Sequence, residues 1–260
     1  MAPFLTFPEG KLLVADAEAK SVPRPEYPRP QFVREEWANL NGEWQFRTDD
    51  QDVGLEQGWF SSSQYPLTIQ VPFAPESALS GIGDRSFHPC VWYRRAFQIP
   101  PVWQGKRILL NFGAVDYRAT VWVNGVFVAG HEGGHTPFSC DITRALAEGD
   151  NYVAVRAEDP PTDRYIPRGK QHWEAAPVSI FYARTTGIWQ TVWLEPVSES
   201  HMTSVRITPH LNGTVEFAVK IANLDESQLV SVIVRSQGQL LASATSLAQG
   251  PRVVISSHVA

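Results

Sequence analysis

The sequence predicts an all-β protein built from sandwiches, and three observations carry that prediction. Asn124-Gly125 sits between the β-branched and aromatic runs Asp116–Val123 and Val126–Val128. Asn-Gly is the pair a type I′ hairpin turn prefers, because both central residues need positive φ. Trp44 and Phe46 follow the turn residues Asn41-Gly42 at a spacing of two, which puts both side chains on one face of a strand. Short apolar runs then recur along the chain, each closed by proline, glycine or polar turn residues.

In order, Thr68–Val71 reads as a strand stopped by Pro72, and Val91–Ile99 as one stopped by Pro100-Pro101. Arg107–Phe112 and the Asn124-Gly125 hairpin continue the series. Asp141 is expected to cap a short helical turn running to Glu148, with Gly149 as its stop. Asn151–Glu158 is a strand ended by Asp159-Pro160-Pro161, and Ile188–Glu195 a closing strand. Between them, residues 160–186 show no period and read as a long polar-aromatic loop, the kind of segment that carries function on a β scaffold.

The prolines at 3, 8, 23, 25, 28 and 30 make residues 1–30 an extended arm. Residues 31–198 form the main domain, and Pro196–Ser200 is a linker. Beyond it Ser204–Thr208, Thr214–Ile221, Val230–Arg235 and Pro251–Ser257 alternate like sandwich strands. Residues 199–260 are fewer than the roughly 100 an immunoglobulin-like domain needs, so a truncated second sandwich is expected there.

Composition excludes several classes. In 260 residues, 43% hydrophobic content supports a substantial core. The net charge of −5 without a basic block argues against nucleic acid and anionic membrane as partners. No apolar run reaches 18 residues, so no membrane helix is expected. Residues 1–20 lack a basic stretch followed by an apolar one, so no secretory leader is expected and a cytoplasmic location is. Cys90 and Cys140 read as buried thiols, with a bridge between them left open. The nine Trp suit either sandwich core or stacking on sugar rings.

Motifs that would carry chemistry are weak. His131-Glu132-Gly133-Gly134-His135 spells the zinc-protease pattern, which works only on a helix. Two glycines inside it, a hairpin before it and Pro137 after it make it a glycine-rich β connection, so no metal is expected. Nucleophile-elbow and phosphate-loop patterns are absent, and no cofactor is expected. Asp49, Asp50 and Asp52 read as a solvated turn, and Asp116 as a structural hydrogen-bonding residue.

Taken in order, Leu40–Phe46, Trp92–Phe97, the Asn124-Gly125 hairpin, Gly133–Phe138, Asp141–Thr143 and Gly187–Glu195 resemble the N-terminal sugar-binding domain of glycoside hydrolase family 2, the β-galactosidases, β-glucuronidases and β-mannosidases. The resemblance spans roughly residues 30–198. It implies a jelly-roll sandwich of galactose-binding type, then the opening strands of an immunoglobulin-like domain. In the family a catalytic barrel follows and hydrolyses β-glycosides through two glutamates, one of which follows an asparagine. No Asn-Glu pair occurs here, so no catalytic residue is assigned and the chain alone is expected to be inactive.

The family also implies that loops before the strands at Val91 and Ile188 lean toward substrate. This makes His88 and Arg184 candidates, with Arg168, Gln171 and Trp173 of the long loop as hydrogen-bond donors and a stacking platform. His88 stands where β-galactosidases carry asparagine, and Gln190-Thr191 where they carry an acidic residue, so galactose is not implied as the sugar. The implied partner is a carbohydrate β-glycoside, with a homo-oligomer expected of the full-length enzyme. The alternatives are a stand-alone carbohydrate-binding module and a purely structural domain.

Overall fold

The structure, a computed structural model, describes residues 22–62 and 64–259. Most of the predicted proline-rich arm lies outside the described residues. The chain forms two compact units: residues 34–196 with the segment ending at Pro28, and residues 197–260 with Arg29–Val33.

The first unit contains β1 (Ala38–Asn39), β2 (Gly42–Thr48), β3 (Leu67–Val71), β4 (Cys90–Gln98), β5 (Arg107–Phe112) and β6 (Val115–Asp116). It continues with β7 (Arg118–Val123), β8 (Val126–Glu132), β9 (Phe138–Asp141), β10 (Asp150–Glu158), β11 (Gly187–Ile188) and β12 (Val192–Val197). A six-stranded sheet in the order β3-β2-β4-β10-β7-β8 faces a four-stranded sheet in the order β1-β12-β5-β9, and β11 pairs with β6. This is the jelly-roll sandwich that the family resemblance implies.

Period-two alternation explains how the layers are held. Trp44, Phe46, Val91, Tyr93, Val121, Val123, Val153 and Val155 point from the larger sheet into one core, where Ile108, Leu110, Phe112, Val192 and Leu194 meet them from the smaller. Between them, Trp92 on β4 and Trp122 on β7 are buried as well. Trp92 and Trp122 stack on the opposite face, their ring centroids 5.5 Å apart, and Trp59, Tyr65 and Cys90 complete that second cluster. The central strands are therefore covered on both faces around Trp92 and Trp122.

The hairpin at Asn124-Gly125 has φ of 51° and 79° at its two central residues, as a type I′ turn requires. Its register pairs Val123 with Val126. Asn124 also ties the turn to β10, its Nδ2 donating to Asn151 Oδ1 at 2.7 Å. The expected helical turn after Asp141 is shorter than predicted, a single 3-10 turn over Thr143–Ala145. Asp141 ends β9 and is not the cap, which is Ile142 without a side-chain bond; its Oδ1 accepts from Thr143 N at 2.9 Å, two residues on. Glu195 on β12 is fully buried, and its carboxylate accepts from Tyr27 Oη at 2.5 Å, Trp193 Nε1 at 2.7 Å and Arg34 Nε at 3.0 Å.

The second unit holds β13 (His201–Pro209), β14 (Thr214–Ala222), β15 (Gln228–Ser236), β16 (Gln239–Ala248) and β17 (Arg252–His258). They form a three-stranded sheet β13-β14-β17 and a β15-β16 ribbon around Phe217, Val219, Ile221, Val253 and Ile255. This is an immunoglobulin-like sandwich in part, five strands against the seven of a complete one. The sequence reading has no strand at Gln239–Ala248. Its inward positions are the small Ala242, Ala244 and Ser246, while Leu240, Leu241 and Leu247 face outward, so apolar alternation is blunted.

Candidate functional site

One end of the jelly roll gathers the chemistry-bearing side chains. There β4 starts, β10 ends, β6 and β11 pair, and residues 160–186 cross as a loop. Asp159 N donates to Pro89 O at 2.9 Å and Tyr117 N to Glu158 O at 3.1 Å, so the strand ends are stitched together by backbone bonds. The Asp116–Tyr117 peptide is cis. Gly187 and Ile188 pair with Asp116 and Val115. A side chain at Gly187, where φ is 74°, would lie 2.3 Å from the Tyr93 hydroxyl, so glycine is the residue that fits.

The loop is tied down by two buried carboxylates, Asp159 and Asp116, and by the half-buried Glu76. Asp159 is 6% exposed and Arg184 is 7% exposed. Arg184 Nη2 donates to Asp159 Oδ2 at 2.5 Å and to Asp159 O at 2.9 Å. Thr186 Oγ1 donates to the same carboxylate at 3.1 Å, and Thr186 N donates to Glu76 Oε2 at 3.2 Å. Asp116 is 2% exposed, and its Oδ2 accepts from Gln171 Nε2 at 2.8 Å. Gln171 Oε1 in turn accepts from Thr185 N at 2.7 Å. A parallel bridge between Gln171 and Tyr182 closes the loop on itself.

These contacts distribute the five sequence candidates over three places. Gln171 and Arg184 belong to the buried network, with both ends of the Gln171 amide engaged. His88 stands apart, its Nδ1 2.7 Å from Asp50 Oδ1 and its Nε2 3.1 Å from Asp84 Oδ2. Burial opposes charge on His88, but the hydrogen bonds to Asp50 and Asp84 outweigh it and raise its pKa. Arg168 and Trp173 come together in a concavity of about 440 Å³ lined also by Pro161, Thr162, Arg164 and Ile166. Arg168 donates to Pro161 O at 3.0 Å and Asp163 O at 2.5 Å, which fixes the wall. Trp173 is 52% exposed and packs against His172 and Phe181, at 4.7 and 5.1 Å between centroids. Among the nine Trp it is the one with most of its surface free, for seven are core residues and Trp189 is half-buried with its Nε1 on Gly134 O at 2.7 Å.

The zinc-protease pattern lies on strand and loop, not helix. His131 is in β8, its Nε2 3.0 Å from Thr136 Oγ1 and its ring stacked on Phe138, whereas His135 meets the edge of Trp189. The acidic turn is corrected at Asp49. That residue is buried rather than solvated, its carboxylate accepting from Val53 N, Gly54 N and Trp92 Nε1, each at 2.9 Å. Asp52 pairs with Arg156 at 2.5 Å. Burial pushes the nearby Cys90 thiol up to about 12, which keeps it protonated and a poor metal ligand. Both cysteines are free and buried.

Burial also pushes the Asp116 carboxyl up to about 6, against the lowering effect of the Gln171 hydrogen bond. A folded-state value above the unfolded one means that the native state holds this proton more tightly. The resulting stability, about 3 kcal/mol at most, is complete below about pH 4 and is lost as pH rises through about 6. Glu76 is raised by burial and His88 by its carboxylates, with the same sign. Thermal unfolding should therefore occur at higher temperature at pH 5.5 than at pH 8. Asp116→Asn should shrink that difference without abolishing it. An undiminished difference in the variant would remove Asp116 as a cause.

Comparison with known proteins places this geometry. Residues 37–173 match the sequence model of "Glycosyl hydrolases family 2, sugar binding domain". The β-glucuronidase of Canis lupus familiaris is 29% identical over 264 aligned residues, covering 90% of this chain and 40% of that protein. The β-glucuronidase of Paenibacillus borealis is 33% identical over 146 residues, covering 55% of this chain and 24% of the relative. Among solved structures, the β-glucuronidase from Ruminococcus gnavus in complex with D-glucuronic acid superposes with a TM-score of 0.69 at 20% identity, covering 90% of this chain and 41% of that one. The chain thus spans about 40% of the length of full-span relatives. Through its jelly roll, the chain belongs to glycoside hydrolase family 2, whose sugar-binding domain it contains.

Proposed function

We propose that this chain is the sugar-recognising front part of a family 2 β-glycosidase and that residues 160–186 present Trp173 and Arg168 to a β-glycoside. The exposed indole in a concavity, where seven of the other eight tryptophans are buried and Trp189 is half-buried, carries this reading. An indole face stacks on the C–H face of a pyranose, and a wall fixed by Arg168 loses little entropy on binding. The acidic groups at this end, Asp116, Asp159 and Glu76, each accept from an internal donor. Hydrolysis with retention needs two carboxylates facing the scissile bond, whereas these three are engaged with groups of the chain itself. Bond cleavage therefore falls to groups outside these residues, and the chain by itself should leave β-glycosides intact.

Titrating the chain with methyl β-glycosides while following tryptophan fluorescence tests this. Binding should quench or shift the emission, and Trp173→Ala should weaken affinity about five- to tenfold, consistent with a stacking contact of roughly 1–1.5 kcal/mol. Absence of any sugar response would favour the structural reading. That reading has its own support in the exposed Tyr165, Val178, Ile180 and Tyr182 of the same loop, an apolar surface suited to packing on another protein surface.

A further inference from the structure

Asn-Gly occurs three times in the chain, at Asn41-Gly42, Asn124-Gly125 and Asn212-Gly213. Each step sets an asparagine amide beside a peptide N–H whose own residue has no side chain to shield it. The fold treats the three differently. Asn41 is 1% exposed, its Nδ2 donating to Pro23 O and Thr191 Oγ1, each at 3.1 Å, and its Oδ1 accepting from Val192 N at 3.0 Å. Asn124 is held as tightly, for Nδ2 donates to Ala145 O at 2.8 Å and to Asn151 Oδ1 at 2.7 Å, while Oδ1 accepts from Tyr152 N at 3.0 Å. Asn212 lies exposed in the turn between β13 and β14. Its Oδ1 accepts from Thr214 N at 3.0 Å, two residues on, and among the described residues its Nδ2 donates to no acceptor.

We infer that Asn212 is a site of spontaneous modification, at which the Gly213 amide nitrogen closes on the Asn212 side chain and converts it to aspartate and isoaspartate. The Gly213 N–H gives its proton to hydroxide, and the nitrogen bonds to Asn212 Cγ. The Cγ–Nδ2 bond then breaks, and ammonia leaves after taking a proton from water, which returns the hydroxide. Water opens the cyclic imide at either carbonyl carbon. Opening at Cγ gives aspartate, and opening at the backbone carbonyl leaves the chain running through Cγ as isoaspartate. No atom changes oxidation state.

Ring closure requires the side-chain amide to swing onto the next peptide nitrogen. At Asn41 and Asn124 that movement breaks every bond holding the amide, and each break leaves a shielded donor or acceptor without a partner. At Asn212 the single bond comes from within the turn, and the Thr214 N–H points at the oxygen on which negative charge develops. The bond given up there is Gly213 N to His210 O at 3.1 Å. Isoaspartate would add a methylene to the backbone, and either product a negative charge, in a turn closed by His210 N on Thr214 O and by Val259 N on Gly213 O, each at 2.8 Å.

The test ages the folded 260-residue chain in weakly alkaline and in weakly acidic buffer, then reads the three Asn-Gly peptides by mass spectrometry with aspartate separated from isoaspartate. Asn212 should convert about tenfold or more faster than Asn41 or Asn124, to a mixture that contains isoaspartate, and faster in the alkaline buffer. In urea the three steps should convert at similar rates, because the difference between them is made by the fold. Asn212→Gln, whose side chain would have to close a larger ring, should keep its amide. The comparison among the three steps is read on the unmodified chain, so it stands even if that variant does not fold. Conversion of Asn41 or Asn124 as fast as Asn212 in the folded chain overturns the inference. So does an Asn212 that keeps its amide when folded and loses it in urea. A product of aspartate alone also overturns it, since direct hydrolysis needs no ring closure.

Discussion

Arg184→Ala should destabilise the chain by about 3–5 kcal/mol, one of the two largest losses expected from a single substitution here. The guanidinium is 7% exposed and its partner Asp159 is 6% exposed. Removing the cation leaves a nearly buried carboxylate that keeps the bond from Thr186 Oγ1, and it also takes a donor from Asp159 O. The guanidinium also lies 5.1 Å over the Phe87 ring, so packing is lost with the charge. Because the pair joins the end of β10 to the far end of the 160–186 loop, the loop should become sensitive to protease before the sandwich unfolds. Urea denaturation followed by tryptophan fluorescence gives the first number, and limited proteolysis the second. Replacing both partners with apolar residues, Arg184→Met with Asp159→Leu, should recover most of the loss, since the desolvation cost leaves with the charges. A single variant within 1 kcal/mol of the unmodified chain would show that water enters the site freely.

Trp92→Ala should cost about 4–5 kcal/mol, at the upper end of large-to-small core changes. Trp92 has no exposed surface and stands between Trp122, stacked at 5.5 Å, and Trp59, edge-on at 6.0 Å. Its Nε1 donates to Asp49 Oδ2 at 2.9 Å, so truncation opens a cavity and also takes a donor from a buried carboxylate. Trp92→Phe separates the two effects. It keeps much of the ring volume and removes the donor, and it should cost about 1–3 kcal/mol. If the two substitutions cost the same in urea melts, the hydrogen bond rather than packing dominates at this position.

Several elements were legible because their signals are local. The Asn124-Gly125 turn needs only the φ preferences of its two residues. Trp44 and Phe46 needed only the pleat. The glycines and Pro137 were enough to keep the His131–His135 pattern off a helix. Other elements were not legible, for equally physical reasons. Asp49 sits in a run of acidic residues that reads as solvated, and its burial depends on Trp92, 43 positions away. Strand Gln239–Ala248 carries small residues inward and leucines outward, which inverts the usual pattern.

Sequence by itself determined the all-β class, the hairpin, the longer strands of the first sandwich and the family, because each rests on short-range pattern or on motifs in a fixed order; β1 and β9 of the smaller sheet were not among them. Only the tertiary structure decided which side chains face each other. Gln171 meets Asp116 across 55 positions and Arg184 meets Asp159 across 25, while Arg168 and Trp173 are left on an open wall. Pairing of that kind is set by where the strand ends bring the chain together and by the cost of burying an unpartnered charge, neither of which a linear spacing encodes.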